Sequence, residues 1–349
     1  MKKIKVLIVD DSQLIVQILS SILSADPAIE VVGTAEDPYE ARDKIKTLNP
    51  DVITLDIEMP KMDGITFLRN IMRLRPLPVV MISTLTEVGA AVTLEALEIG
   101  AVDFIPKPKS TDMEVFKPLA SSIRNKVRQA AKVNATVFEK AERSGLTKKA
   151  VVKKSTNRRD KPELIVIGAS TGGTLALKEL FSALPAQMPP IAVVQHMPEG
   201  FTASFAERLN ANSDLTVVEM GYEATELLPG HAYIARGDKH MVLSKSGAKF
   251  KGMTQDSEPV NRHKPSVDVL FDSVAEWGNN KILSMILTGM GADGAQGMLR
   301  LRNKGALTVA QDEASCVVWG MPRVAVENNA AEYVLALDKM PQFMVDRCA

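Results

Sequence analysis

Two sets of side chains in this sequence could do chemistry, and each sits where an apolar run ends. The first set is acidic. Asp10 and Asp11 close the run 4–9, and Asp56 closes the run 52–55. Three carboxylates brought to one sheet edge repel one another and need a cation. A hard divalent ion such as Mg²⁺ takes one or two carboxylates plus water and phosphate oxygens. Such a site suits phosphoryl transfer to a carboxylate, with Asp56 as the nucleophile. Ser83 ends a fourth run, and Lys107 follows a fifth. There an ammonium can pair with phosphate as a point charge, and a cis bond before Pro108 would aim it inward. A lone Asp-Asp pair reads more simply as a helix N-cap. Five residues of fitting type, each at a strand end, are far more specific.

The second set is hydrolytic. Residues 168–172 read GASTG, between the apolar run 164–167 and a helical stretch. Such a turn can be purely structural. It can cradle phosphate on backbone N–H groups, or it can be a G-x-S-x-G turn whose small neighbours leave Ser170 exposed. Other strand ends favour the nucleophile. The run 191–195 leads into His196, and the run 281–287 leads into TGMGADG, which carries Asp293. If these strands are parallel, the three side chains share one crevice. In a triad His takes the Ser proton, and Asp fixes the His tautomer. Oxyanion donors are expected on the backbone of Thr171 and Met290. His231 and His240 flank a presumed hairpin around 233–243 and read as surface or structural residues. His263, in NRHKPS, is a polar loop residue that could line the site.

The elements needed to position these groups are legible. Strands are expected at 4–9, 29–32, 52–55, 79–82 and 102–105, with helices at 14–23, 38–48, 64–73, 88–97 and near 116–127. Nearly continuous apolar strands alternating with helical periods indicate a doubly wound parallel sheet. From 132 to 161 that pattern stops and Lys148, Lys149, Lys153, Lys154, Arg158, Arg159 and Lys161 accumulate, as in a solvated linker. Beyond it, strands are expected at 164–167, 191–195, 217–220, 232–235, 241–244, 281–287 and 306–310. Helices are expected at 175–184, 202–209, 267–277 and 295–303. The fold class is therefore two doubly wound, mainly parallel-sheet α/β domains. They span 1–125 and 162–349, joined by a linker at 126–161.

The 349 residues fit two domains. Aromatics are only 5%, so the cores must use Val, Ile, Leu, Ala and Met. Zero net charge argues against a nucleic-acid binder, which wants a basic excess. Cys316 and Cys348 are too few and too distant for a disulfide framework or zinc site. Cys348 lies at the extreme C-terminus, where order is not expected. The run 4–9 is too short for a signal peptide, and no run reaches membrane-span length. A soluble cytoplasmic protein without membrane insertion is expected.

Residues 1 to about 125 resemble the receiver domain of two-component response regulators. The matching stretches are VLIVDDS (6–12), VITLDIEMPKMDG (52–64), VVMIST (79–84) and GAVDFIPKP (100–108). The resemblance implies that Asp56 accepts phosphate from a histidine kinase. It implies Mg²⁺ on Asp10, Asp11, Asp56 and the backbone carbonyl of Glu58. Ser83 and Phe104 match the family's hydroxyl and aromatic switch positions, beside Lys107. The order Ser–His–Asp differs from the Ser–Asp–His of α/β-hydrolases. Residues 163–347 instead resemble the catalytic domain of the chemotaxis methylesterases (CheB family). Here the stretches are VIGASTGG (166–173), VQHMPEG (194–200), FTASFAERL (201–209), PSVDVLF (265–271), ILTGMGADGAQGM (286–298) and AQDEASCVVWGM (310–321).

That resemblance implies hydrolysis of glutamate methyl esters on chemoreceptors and deamidation of receptor glutamines, with Ser170, His196 and Asp293 as the triad. No cofactor is expected in that domain. The unphosphorylated receiver is expected to cover an open catalytic shelf, so removing residues 1 to about 150 should raise basal activity. Three rivals are a DNA-binding output, a nucleotide-binding module built on GASTGG, and a receptor-binding scaffold with an inert triad. The first lacks a basic recognition helix, and the second lacks a ribose-binding acid after the next strand. Ser170→Ala with undiminished methanol release would favour the third.

Overall fold

In a computed structural model, residues 2–84, 86–107, 119–133 and 161–348 are described. Pro108 and the charged block at 148–159 lie outside them. The chain divides into two units, Met1–Arg143 and Ser144–Ala349.

The first unit has strands β1 (Ile4–Val9), β2 (Ile29–Ala35), β3 (Val52–Asp56), β4 (Val79–Thr84) and β5 (Asp103–Lys107). Its helices are α1 (Gln13–Ser24), α2 (Pro38–Leu48), α3 (Gly64–Leu74), α4 (Glu87–Ile99) and α5 (Ala120–Ala130). The sheet is parallel, in the order β2-β1-β3-β4-β5. Every residue of β3 is buried, as a strand covered on both faces requires. Helix α1 buries Ile15, Val16, Ile18, Leu19, Ile22 and Leu23, one stripe of a 3.6-residue period. Ser12 caps it, Asp37 caps α2, and Asp63 caps α3, each accepting from backbone N–H groups of the first turn. Strand order reverses between β1 and β3, which opens a crevice beyond their C-terminal ends. Helix α5 passes residue 125, and Val133 is buried after it, so this unit runs beyond the boundary read from sequence.

The second unit has β6 (Leu164–Ala169), β7 (Ile191–Gln195), β8 (Thr216–Glu219), β9 (Thr225–Glu226), β10 (His231–Ile234), β11 (His240–Ser246), β12 (Lys249–Gln255), β13 (Ile282–Ile286), β14 (Leu307–Gln311) and β15 (Tyr333–Leu335). Its helices are α6 (Gly173–Ala183), α7 (Thr202–Ala211), α8 (Val267–Ala275), α9 (Ala295–Asn303), α10 (Met321–Glu327) and α11 (Met340–Cys348). Seven strands form one sheet, β15-β14-β13-β6-β7-β10-β8, and every pairing in it is parallel. A small antiparallel sheet, β11-β12-β9, stands apart from it. Helix α8 buries Val267, Leu270, Phe271 and Val274, the i, i+3, i+4, i+7 set of an amphipathic helix. Again the order switches at the centre, where β6 lies between β13 and β7.

Two expectations are corrected here. The hairpin expected around 233–243 does not form. Strand β10 joins the parallel sheet, and β11 pairs with β12 across a two-residue turn opened by Gly247 at φ +60°. Strand β12, KFKGMTQ, has no apolar run to mark it, because only Phe250 and Gly252 of it are buried. Cys348, expected to lack order, ends helix α11. Met340, Pro341, Met344 and Val345 bury one face of α11, and burial pushes the Cys348 thiol up to about 12. Both cysteines are free. Among the described residues, no helix is long and apolar enough to cross a membrane.

Candidate functional site

In the first unit the acidic residues meet at the β1/β3 crevice. Asp10, Asp11 and Asp56 offer carboxylate oxygens within 4.8 Å of one another. Asp10 and Asp56 are buried, and Asp11 is exposed. Lys107, at the end of β5, reaches in with Nζ 2.6 Å from Asp56 Oδ2 and 3.2 Å from Asp10 Oδ2. Among the described residues, one ammonium faces three carboxylates and does not balance them. Burial, and then the charge of Asp10, push the Asp56 carboxyl up to about 6 against the pull of Lys107. Burial likewise raises Asp10. Lys107 is itself raised: its burial works against the charge, but both aspartates outweigh it.

Asp10 Oδ2 is buried and lacks a hydrogen bond of good geometry. An all-oxygen, under-neutralised donor set with a spare buried lone pair fits a hard divalent cation. Glu58 lies exposed in the turn two residues past Asp56, outside the carboxylate cluster. Gly64, opening α3, brings its Cα so close that a Cβ there would sit 2.0 Å from the Asp56 carbonyl oxygen. Ser83 is buried, and its hydroxyl shares a 2.5 Å hydrogen bond with the Thr93 hydroxyl of α4. Phe104 is buried beneath the Lys126 ammonium, 5.4 Å from its ring centre.

In the second unit the three expected side chains come from adjacent strand ends. Ser170 follows β6 and His196 follows β7, while Asp293 lies between β13 and α9. The Ser170 N–H donates to the Thr288 carbonyl at 3.0 Å, and the His196 N–H to the Ala169 carbonyl at 3.0 Å. Both backbones are thus stitched to the neighbouring strand. Gln195 adds a carboxamide N–H to the Ser170 carbonyl at 2.9 Å. Gly289 packs so near that a Cβ there would meet Ser170 Cβ at 2.7 Å.

His196 Nε2 lies 2.8 Å from Asp293 Oδ2. Asp293, 2% exposed, also accepts from the Asn261 amide (2.8 Å), the Ser266 hydroxyl (2.8 Å) and the N–H groups of Val267 (2.6 Å) and Asp268 (3.2 Å). Burial alone would raise its pKa. The hydrogen bond and charge of His196, then Asn261 and the Val267 N–H, outweigh burial and hold the carboxyl well below the usual range. His196 Nδ1 is buried with no hydrogen-bond partner among the described residues, so no bond to the Ser170 hydroxyl is made. Ser170 is half-buried and, like His196, stands one residue past the Ala169–Gln195 pairing that ends the β6–β7 ladder. Thr171 and Met290 sit past the ends of β6 and β13.

Asn261, Ser266 and Asp268 carry no sequence signal of their own at this site, whereas His263 is the polar loop residue expected to be able to line it. His263 stacks on His196, with ring centres 3.7 Å apart and planes 7° off parallel. Ser266 and Asp268, at the start of α8, look in sequence like ordinary capping residues. Their signal was the density of polar groups in NRHKPSVD, beside one of only four histidines.

The CheB methylesterase family model matches residues 165–344, and the response regulator receiver domain model matches residues 6–115. A protein-glutamate methylesterase/protein-glutamine glutaminase 2 of Vibrio vulnificus is 52% identical over 345 residues, 99% of this chain and 98% of its own. A protein-glutamate methylesterase/protein-glutamine glutaminase of Hydrogenovibrio crunogenus is 47% identical over 369 residues, 98% of each chain. The crystal structure of the Thermotoga maritima CheB methylesterase catalytic domain aligns at a TM-score of 0.51 and 40% identity. It covers 53% of this chain and 98% of that one.

Proposed function

The chain belongs to the CheB methylesterase family, and from that premise we propose that it is a receiver-regulated hydrolase of glutamate methyl esters on chemoreceptors, acting in the cytoplasm. Glutamine deamidation on the same receptors is its second activity. The observation that carries the reading is the buried His196–Asp293 pair at 2.8 Å, beside Ser170 on the neighbouring strand end.

Asp293 occupies Nε2 of His196, so Nδ1 is the ring atom left for Ser170. Ser170 attacks the ester carbonyl while Nδ1 takes its proton. The imidazolium, steadied by Asp293, gives that proton to the departing methoxide oxygen, which leaves as methanol. Water then attacks the acyl-serine with His196 again as base, and the imidazolium returns the proton to Ser170 as the acyl–oxygen bond breaks and the free glutamate leaves. Asp293 suits this part because its lone pairs are already spent on donors. It stays ionised and holds one tautomer. Backbone N–H groups of Thr171 and Met290 are the proposed oxyanion donors.

In the receiver, Asp56 accepts the phosphoryl group from a histidine kinase. Asp10, Asp11, Asp56 and the Glu58 carbonyl would hold Mg²⁺, whose charge would offset that of the carboxylates and the incoming phosphate. Added negative charge at Asp56 then draws on Lys107, and Ser83 and Phe104 respond as switch residues. The test is methanol release from methylated receptor membranes by wild type and Ser170→Ala, with and without a phosphodonor. Phosphodonor-stimulated release by wild type alone supports the reading. Equal release by both proteins refutes it.

A further inference from the structure

One contact at this site has no part in the scheme above: two imidazoles lie face to face. We propose that His263 is a positioning residue for ester hydrolysis, its ring stacked flat on His196 to fix the plane in which Nδ1 exchanges a proton with Ser170. The inference rests on the Ser170–His196–Asp293 reading and adds a residue to it.

A single hydrogen bond pins one atom of a ring and not its plane. The Asp293 contact fixes Nε2 at 2.8 Å, and among the described residues no hydrogen bond holds Nδ1. The ring torsion of a histidine is broad, so the ring can swing about its anchored edge. His263 removes that freedom. With centres 3.7 Å apart and planes 7° off parallel, the rings are at van der Waals contact over their whole faces. Any tilt of His196 toward that side meets the second ring.

The loop around His263 is braced to hold it there. Val260 and His263 exchange both backbone hydrogen bonds, at 3.1 and 2.9 Å. The two residues between them, Asn261 and Arg262, have φ of +54° and +68°. That is the left-handed pair a tight two-residue turn demands. Asn tolerates it, but Arg rarely adopts it, so the turn is held against a local preference. Buried His240 clamps the loop on either side: its Nε2 donates to the Glu258 carbonyl at 3.1 Å, and its Nδ1 accepts from the Ser266 N–H at 3.1 Å. The same turn points the Asn261 amide at Asp293 (2.8 Å) and Asp268 (2.7 Å). One short turn thus grips both the acid and the base of the triad.

The test compares His263→Ala and His263→Phe in the full-length protein, assayed by methanol release from methylated receptor membranes. Phe keeps a flat ring and cannot carry a proton. Misplacing a reacting group by about 1 Å costs on the order of 100-fold. His263→Ala is therefore expected to lower kcat by roughly 10- to 100-fold at little-changed KM. His263→Phe should recover most of that loss. A second readout is independent of turnover: the low-field proton resonance of the His196–Asp293 bond should persist in His263→Phe and broaden in His263→Ala.

Wild-type kcat in His263→Ala overturns the proposal. So does a Phe variant as slow as the Ala one, which would make His263 a proton carrier or hydrogen-bonding group instead. A His196→Ala control separates the two levels. If it stays active, the triad reading fails and this inference fails with it. If it is dead while His263→Ala is unimpaired, only the stacking role falls.

Discussion

Asp56 and Asp293 are both aspartates at the mouth of a parallel sheet, 3% and 2% exposed, yet their surroundings push them in opposite directions. Asp56 has the Lys107 ammonium and the Ile57 N–H, but Asp10 crowds it, and its carboxyl rises to about 6. Asp293 collects five donors, and it falls well below the usual range. Burial is nearly equal, so burial does not decide. The balance of donors against like charges does. The contrast matches the two proposed roles. A nucleophile must keep lone pairs unspent, and an orienting carboxylate has none to spare.

The largest expected effect is on the catalytic side alone. Ser170→Ala should lower kcat for methanol release by at least ~10³-fold, since removing a triad member leaves only binding and oxyanion stabilisation. Phosphorylation of Asp56 by a small-molecule donor should be unchanged in that variant, as measured by phosphoprotein yield. A parallel loss of phosphorylation would mean the substitution had damaged more than the crevice.

The comparison is sharpest in stability against pH. Asp293→Asn should cost the second unit about 3 kcal/mol at pH 7 in denaturant titration, because hydrogen bonds to a buried charge are strong and several donors lose their acceptor. A carboxyl depressed in the native state adds stability above its unfolded value, roughly 4, and loses it as pH falls further. Wild type should therefore weaken below about pH 4 in a way Asp293→Asn does not.

Asp56 has the opposite sign. Its native value of about 6 lies above the unfolded one, so the native state binds the extra proton between pH 4 and 6, and the penalty is complete above 6. In a chelating buffer, Asp56→Asn should stabilise the first unit by ~2 kcal/mol at pH 8, a gain that vanishes near pH 4. Mg²⁺ should raise the melting temperature of wild type and leave the variant nearly unmoved. A destabilised Asp56→Asn, or Mg²⁺ stabilising both equally, would erase the contrast.

The sequence made the carriers of this contrast visible but not its cause. Asp10, Asp56, Lys107, Ser170, His196 and Asp293 each follow an apolar run, and parallel sheets put such positions on one edge. The main strands were legible for the same reason, being buried end to end. Strand β12 was not, because half its residues face away from the core. Nor was the loop that sets the electrostatics of Asp293. Asn261 lies 32 residues from Asp293 and His263 lies 67 from His196, with nothing periodic in between. His240, expected at the surface or in a structural role, is structural: a fully buried clamp on that loop. Distance in sequence hides such contacts, whereas strand ends announce themselves locally.

The smallest expected effect sharpens the comparison most finely, because it removes one donor of five. Asn261 does two things: its amide bridges Asp293 and Asp268, and its backbone takes φ +54°. Asn261→Gly keeps the backbone and loses the amide. It should cost about 1 kcal/mol, its two lost hydrogen bonds contributing roughly 0.5 kcal/mol each, and should move the acid-unfolding midpoint of the second unit upward. Asn261→Ala loses both and should cost roughly 1 kcal/mol more, since a Cβ disfavours the left-handed region. If the two variants are equally destabilised but only mildly so, the turn carries no strain and the amide alone matters. If Gly is as stable as Asn and its acid midpoint is unmoved, the low pKa of Asp293 is sustained by the other four donors, and the bridge to Asp268 is dispensable. The Gly–Ala difference therefore reads the turn, and the Asn–Gly difference reads the carboxylate, in one experiment on one residue.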